Sequence, residues 1–421
     1  MLSFTQAPPH QYCPGALSLR RGGDFARAPL TALLLALRTI EGASDECSLN
    51  GQHIDGVGCM CTPAWKGQNC TLLNFRPSNP DSGYRQIGSQ VNRSSWGGGG
   101  WYDDAAGVWF MWVSELAGSC GMATWTSNSQ TVRASAPDPL GLYTREGVQF
   151  PVWTHESEVT RGPAGEYVAF MSYHVPQTRP VCTGCVGGST NPNCTEPLEG
   201  KRRLEDSPLI SNSDPTYMSW APASGVRDPS AWSAPALVLD AHPQMDTNFA
   251  AVVNKDGSVV AMWRDHHQSP GVKGKSTIHL ARATNFKDPS TYTAEHTDVL
   301  FGDMGLENPG GVEDPFIWVD AEGHYHALFH MLYPAHPYSG GGHAFSRDGV
   351  KWTWTGQAYD GNVTFTDGTQ AQYANGDRPH LLFDASGKVP VALTTAAGTD
   401  WGAPGMNTDQ TFTLLRPLGV A

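Results

Sequence analysis

Charge is scarce in this sequence. Asp, Glu, Lys and Arg make up 16% of it, against roughly a quarter in ordinary soluble domains. The charge present is one-sided, with a formal balance of −13 at pH 7. That balance excludes nucleic acid and anionic membrane surfaces as partners, because like charges repel at both. Long apolar runs are also missing. The strongest near the start, residues 28–37, is too short to span a bilayer. No extended segment repeats its apolar residues at the 3.6-residue helical period, which excludes a helical bundle and points to an all-β fold. Plentiful Gly (47), Pro (31) and Trp (14) fit many short strands joined by turns.

Arg20, Arg21 and Arg27 precede the apolar run and small residues follow it around Ala43-Ser44. This is the layout of a secretory signal, with a buried helix as the other reading. Residues 1–44 are therefore set apart as a signal-like or disordered segment. Secretion implies an oxidising compartment, where the nine cysteines read as disulfides rather than metal ligands. Sequons at Asn69, Asn92, Asn193 and Asn362 fit that route.

Cys47, Cys59-Met-Cys61 and Trp65-Lys-Gly67-Gln-Asn-Cys70 resemble the second half of an EGF-like module. The resemblance covers residues 45–72 and implies the pairs Cys47–Cys59 and Cys61–Cys70. Cys120, Cys182, Cys185 and Cys194 are expected to form two bridges that pin an insertion at about residues 175–212. Their connectivity cannot be deduced from spacing.

One pattern recurs five times: a polar pair, an apolar stretch, a turn glycine and a second apolar stretch. The clearest copy runs from Glu313-Asp-Pro-Phe316 through Gly323 to His330. Aligned on Gly107, Gly165, Gly257, Gly323 and Gly387, the copies are 58, 92, 66 and 64 residues apart, and the long interval holds the cysteine-rich insertion. Repeats of this length with two further strand-like runs each predict four-stranded blades. The expected architecture is a five-bladed β-propeller over residues 73–421. Its last blade is a strand short, so residues 72–75 or 84–91 are expected to close the ring and cover the open edge.

In a propeller the first strand of each blade lines the axis. The alignment places Gly97-Gly98, His155-Glu156, Thr247-Asn248, Glu313-Asp314 and Asp377-Arg378 around one mouth, with Asp246 and His380 beside them. Facing carboxylates suit glycosidic chemistry, in which one carboxyl donates a proton while another, ionised, activates water or attacks. Glu313, Asp314, Asp246 and Glu156 are the candidate catalytic residues. Trp96, His155, Asn248, Asp377, Arg378 and His380 are the candidate substrate-binding residues. The first-blade glycines are expected to leave room for a ligand, with Trp96, Trp101 and Trp153 stacking on sugar faces. His324, His326 and His330 read as packing or surface residues, and Arg161 and Arg416 as solvated charge.

Glu313-Asp-Pro-Phe and Arg378-Pro-His-Leu-Leu-Phe383 at inner-strand starts resemble the arabinanase, levansucrase and invertase propellers, glycoside hydrolase family 43 above all. The resemblance implies a secreted glycosidase working by carboxylate general acid/base catalysis on a carbohydrate substrate, inverting in that family. It implies Glu313 as acid, Asp314 as its modulator, Asp246 or Glu156 as base, and His380 as the axial histidine. No cofactor is assigned; some members carry a structural calcium on the axis. This chain departs from the family pattern in its first blade, which has glycine where the base stands. A propeller that binds glycans or proteins without catalysis is the alternative, with a sugar phosphorylase or transferase third.

Overall fold

The computed structural model describes residues 44–91, 93–173, 215–240, 248–265, 277–295, 311–331, 340–373, 376–398 and 411–419. The chain divides into residues Met1–Glu41 and Gly42–Ala421, and all described residues belong to the second unit. Cys182, Cys185, Cys194 and Asp246 lie outside them.

Five antiparallel meanders follow one another along the chain. Blade one comprises Ser95–Asp103, Val108–Leu116, Ser129–Ala136 and Thr144–Phe150. Blade two comprises Thr154–Arg161, Tyr167–Tyr173, Thr216–Ala221 and Ala236–Leu239. Blade three runs from Ala250–Val253 to Thr293–Ala294 and blade four from Val312–Val319 to Thr353–Tyr359. Blade five has Asp377–Phe383, Pro390–Ala397 and Phe412–Pro417. Each inner strand packs against that of the next blade, and the fifth packs against the first. The protein is a closed five-bladed β-propeller. All five turn glycines have positive φ, from 66° at Gly107 to 91° at Gly323, a backbone region glycine enters without steric cost.

Blades are buried on both faces, so central strands such as Tyr167–Tyr173 are buried at every residue. Apolar clusters fill the interfaces between blades. Phe110 and Trp112 meet Met171 and Val226 between blades one and two, and Phe170 meets Phe249 and Trp263 between two and three. Each fully buried aromatic or aliphatic side chain contributes about 1.5–3 kcal/mol.

The N-terminal stretch closes the ring, as the strand count requires. Phe75 bridges Leu418 and Tyr84 bridges Thr413 along the free edge of blade five. Tyr84 is fully buried, and its hydroxyl donates to the Glu115 carboxylate at 2.5 Å. Arg145 and Gln130 donate to the same buried carboxylate. Arg416 corrects the sequence reading. It is buried, donates to the Asn362 carbonyl at 2.9 Å and lies 3.5 Å over the Phe75 ring. Desolvation lowers its pKa to about 10. Arg161 likewise lies over the Tyr167 ring at 4.0 Å.

Disulfides join Cys47 to Cys59 and Cys61 to Cys70, and Cys120 is also disulfide-bonded. The short hairpin Gly51–Ile54 with Gly58–Cys61 is too small to bury a core of its own. Instead Trp65, Cys70 and Leu73 join Phe316, Trp318, Tyr359 and Leu381 in one cluster. The cysteine segment is thereby docked on blades four and five.

Tyr84→Phe keeps the aromatic packing and removes the bond to Glu115. It should lower unfolding stability by about 2 kcal/mol, the loss of a hydrogen bond to a charged group, read from the urea midpoint. An unchanged midpoint would show that Tyr84 closes the ring by packing alone.

Candidate active site

Each inner strand enters the axis with a residue in the left-handed region: Gly97 (φ 73°), Glu156 (53°), Asn248 (41°), Asp314 (52°) and Arg378 (54°). Four of these are not glycine, and each such position costs about 1–3 kcal/mol that the surrounding structure must offset. In blades two, four and five the strained residue sits in a β-bulge, marked by register breaks between Phe170 and Ser172, Glu313 and Phe316, and Asp377 and His380. A bulge breaks the alternation of side chains between sheet faces. Glu313 and Asp314, consecutive in sequence, consequently reach the same histidine.

Arg378 binds the ring together. Its Nη1 lies 2.8 Å from the Glu156 carboxylate, and its backbone N–H donates to Asp314 at 3.0 Å. The Asn248 amide donates to Glu156 as well. His155 is buried, with Nε2 3.4 Å from Glu156 and Nδ1 2.7 Å from the Ser129 hydroxyl. Blades two, three, four and five are thus tied through polar side chains that are almost wholly excluded from solvent.

A second group centres on His330, from the second strand of blade four. Its Nδ1 is 3.0 Å from Glu313 and 4.0 Å from Asp314, and its Nε2 is 2.9 Å from Asp377. Arg264 of blade three pairs with the other Glu313 oxygen. Burial disfavours the imidazolium, but Asp377 and Glu313 outweigh it and raise the His330 pKa well above the usual histidine value. Burial also opposes ionisation of Glu313, yet Arg264 and His330 hold its carboxyl below the usual range. Asp314 goes the other way: burial, Glu156 and Glu313 push it well above. Two adjacent carboxyls are thus driven apart, one toward keeping its proton and the other toward keeping its charge.

The first-blade glycines serve a purpose other than the one expected. A Cβ on Gly97 would lie 2.5 Å from the Arg378 Cβ, and one on Gly99 would lie 2.6 Å from the His380 ring. The glycines give way to side chains arriving from blade five, and the space is filled by the protein itself. Trp96 is buried against Met122 and Ala396. Trp101 donates its indole N–H to the Val159 carbonyl at 2.7 Å and stacks on Phe383. Trp153 packs against the apolar cluster between blades one and two. Trp96 is thus withdrawn from any ligand, while Trp101 and Trp153 are half-buried and contribute to blade packing.

His380, the axial histidine of the resemblance, is committed on both nitrogens. Nε2 pairs with Glu158 of blade two at 2.5 Å, and Nδ1 lies 3.0 Å from the Arg378 carbonyl. It does not fit as the partner of a structural calcium, which needs six to eight oxygen ligands. Glu313, Asp314 and His330 bring one ligand atom each within 4.8 Å of one another. His330 meets carboxylates on both ring nitrogens, Glu313 on one side and Asp377 on the other, and the trio reads as a charge cluster.

The structure therefore brings Glu156, His155, Asn248, Glu313, Asp314, Asp377, Arg378 and His380 around the axis, as the repeat alignment requires. Sequence reading took His330 for a packing or surface residue and missed Arg264 and Glu158. The first two belong to second strands, which the inner-strand alignment does not sample. Glu158 is two residues beyond Glu156, at the inner-strand spacing of His380 from Arg378, and that parallel was available in the sequence.

Gly107→Ala, at an open turn, should cost about 1 kcal/mol from φ alone. Gly97→Ala must also displace Arg378 and should cost about 2–4 kcal/mol. Equal losses in urea unfolding would contradict the close packing of Arg378 on blade one.

No family model matches the sequence, and no curated protein matches it. Solved structures do superpose on it. A thermostable family-43 glycoside hydrolase is 11% identical over 82% of this chain and 94% of its own, with a TM-score of 0.48. The catalytic domain of a family-62 α-L-arabinofuranosidase from Coprinopsis cinerea is 12% identical over 82% and 97%, with a TM-score of 0.49. An endo-arabinase from Bacteroides thetaiotaomicron is 11% identical over 82% and 98%, with a TM-score of 0.46. Superposition at this level does not establish a shared chemistry.

Proposed function

We propose that the chain is a secreted glycosidase-type propeller that cleaves glycosidic bonds of a polysaccharide or glycan. The observation that carries this reading is the opposite displacement of Glu313 and Asp314. Asp314, its pKa raised by burial, Glu156 and Glu313, holds its proton to higher pH than Glu313 and donates it to the leaving oxygen, which exchanges the acid and modulator roles that the family resemblance implies. Glu313, whose side chain is 17% exposed, keeps its charge beside Arg264 and His330 and faces the positive charge that develops on the sugar. The Glu313 and Asp314 ligand oxygens are within 4.8 Å of each other. That leaves no room for the attacking water that an inverting pair accommodates at about 6.5–9.5 Å. A base from another blade is then needed; of the two candidates, Glu156 is tied to Arg378 and Asn248, which favours Asp246. Disulfides at Cys47–Cys59 and Cys61–Cys70 support the secretory route.

A propeller that binds glycans without cleaving them is the second reading. It is favoured by the filling of the first-blade channel by Arg378 and His380.

A panel of aryl arabinofuranosides, xylosides and galactosides separates the two. Asp314→Asn and Asp246→Asn should each lower kcat/KM by about 10²–10⁴. Binding without turnover in the unsubstituted protein would select the second reading.

The pH profile supplies an independent check. Activity should fall at acid pH where Glu313 protonates, below the usual carboxylate value, and at higher pH where Asp314 loses its proton. Stability follows the same signs. The raised pKa of Asp314 favours folding at acid pH, and that contribution is lost as pH rises through the folded value, by about 1.4 kcal/mol per unit of displacement. Asp314→Asn should consequently flatten the decline of stability that sets in as pH rises above the ordinary carboxylate value. A decline as steep as in the unsubstituted protein would contradict the raised pKa.

A further inference from the structure

Far from the carboxylate cluster, a line of hydrogen bonds runs from the cysteine segment into blade four. Asp45 accepts from Arg347 at 2.8 Å, and Arg347 lies 3.0 Å from His324 Nε2. His324 Nδ1 is 3.2 Å from Asp320 and 3.8 Å from Glu322. His326 Nε2 is 3.4 Å from the same Asp320 oxygen. His326 Nδ1 meets His343 Nε2 at 3.1 Å, and His343 Nδ1 meets the Thr355 hydroxyl at 2.9 Å. Both inner histidines are buried at about 1% exposure or less. Trp65 of the cysteine segment lies against His343, ring centroids 4.7 Å apart, and Trp318 stacks on His326 at 5.1 Å. His326, Asp320, Glu322 and Lys388 also line a cavity of about 480 Å³ between the cysteine segment and blades four and five.

Counting protons along this line gives a definite result. With both rings neutral, His326 donates to Asp320, His343 donates to His326, and Thr355 donates to His343. One added proton reverses the inner bonds without breaking any. His326 then donates to both Asp320 and His343, His343 donates to Thr355, and the Thr355 hydroxyl turns to its other acceptor, the His343 carbonyl at 3.0 Å. A second added proton sets N–H against N–H across the His326–His343 contact, where an acceptor is required.

We propose that His326 and His343 share at most one added proton while the cysteine segment stays docked, and that the second proton releases it. The pair is an acid-sensitive clasp. Asp320 balances the first charge, held near pKa about 2 because the hydrogen bonds and charge of His326 and His324 outweigh its burial. Among the described residues, no carboxylate faces His343 to balance a second. Burial lowers the pKa of both histidines, and His326 lowers that of His343 further. Groups with lowered folded pKa values contribute stability above the free histidine value of about 6.5, and that contribution is lost as pH falls below it.

The test is a histidine-ring NMR titration of the full-length protein, with hydrogen-exchange protection of the Gly51–Cys61 hairpin followed over the same pH range. The two rings should change together in one single-proton step. Hairpin protection should then fall roughly tenfold per pH unit for each excess proton the released state binds. Separate one-proton steps at each ring with the hairpin still protected would overturn the proposal, as would protection independent of pH. His343→Phe should reduce the acid dependence to the single proton that His326 still takes up on release. Thr355→Val, which deletes the hydroxyl that must reverse, should move the shared step to lower pH; an unchanged step would overturn the reversal. Arg347→Ala is the control and should lower protection equally at every pH.

Discussion

Charge buried at the axis of this propeller must be neutralised across blade boundaries, and Arg378 is where that requirement is met. It reaches Glu156 of blade two with its guanidinium and Asp314 of blade four with its backbone N–H. Its Cβ occupies the space over Gly97 of blade one. In a water-poor interior an unpartnered charge costs several kcal/mol, so the positions of these groups are tightly specified. One residue of blade five thereby sets the register of three other blades.

The strain follows from the same requirement. Glu156, Asn248, Asp314 and Arg378 adopt left-handed backbone so that their polar groups converge, and the ion pairs offset that cost. The bulge at Asp314 also turns two successive carboxyls to one histidine. His330 and Arg264 stabilise charge on Glu313, while Asp314, 1 Å further from His330 than Glu313 is (4.0 against 3.0 Å), is left facing Glu156 and Glu313. The electrostatic asymmetry of the site is thus a consequence of where the bulges fall.

The fold was readable from sequence because its signals are local. Gly107, Gly165, Gly257, Gly323 and Gly387 mark turns that need positive φ, and the turn glycines and apolar runs fix the blades and inner strands. The missing fifth-blade strand followed from counting. Residues such as His330 and Arg264 were not readable, because their importance comes from neighbours in other strands and blades. The glycine run in blade one was read as open space, and only the positions of Arg378 and His380 show it to be filled. Trp96 and Trp101 carry the composition of a sugar platform, but whether an aromatic ring faces solvent or a neighbouring blade is a tertiary matter. Arg416 was misread for the same reason, since a terminal strand that closes a ring is buried where an ordinary chain end is wet.

The central claim is that the axial network raises the pKa of Asp314 and lowers that of Glu313 beside it, so that Asp314 holds its proton to higher pH than its neighbour. Infrared difference spectroscopy between the unsubstituted protein and Asp314→Asn measures this directly. The account predicts a protonated-carboxyl C=O band that outlasts the ordinary carboxyl bands as pH is raised, disappears on Asp314→Asn and persists on Glu313→Gln. A spectrum without that band, or a band lost only with Glu313→Gln, would contradict it.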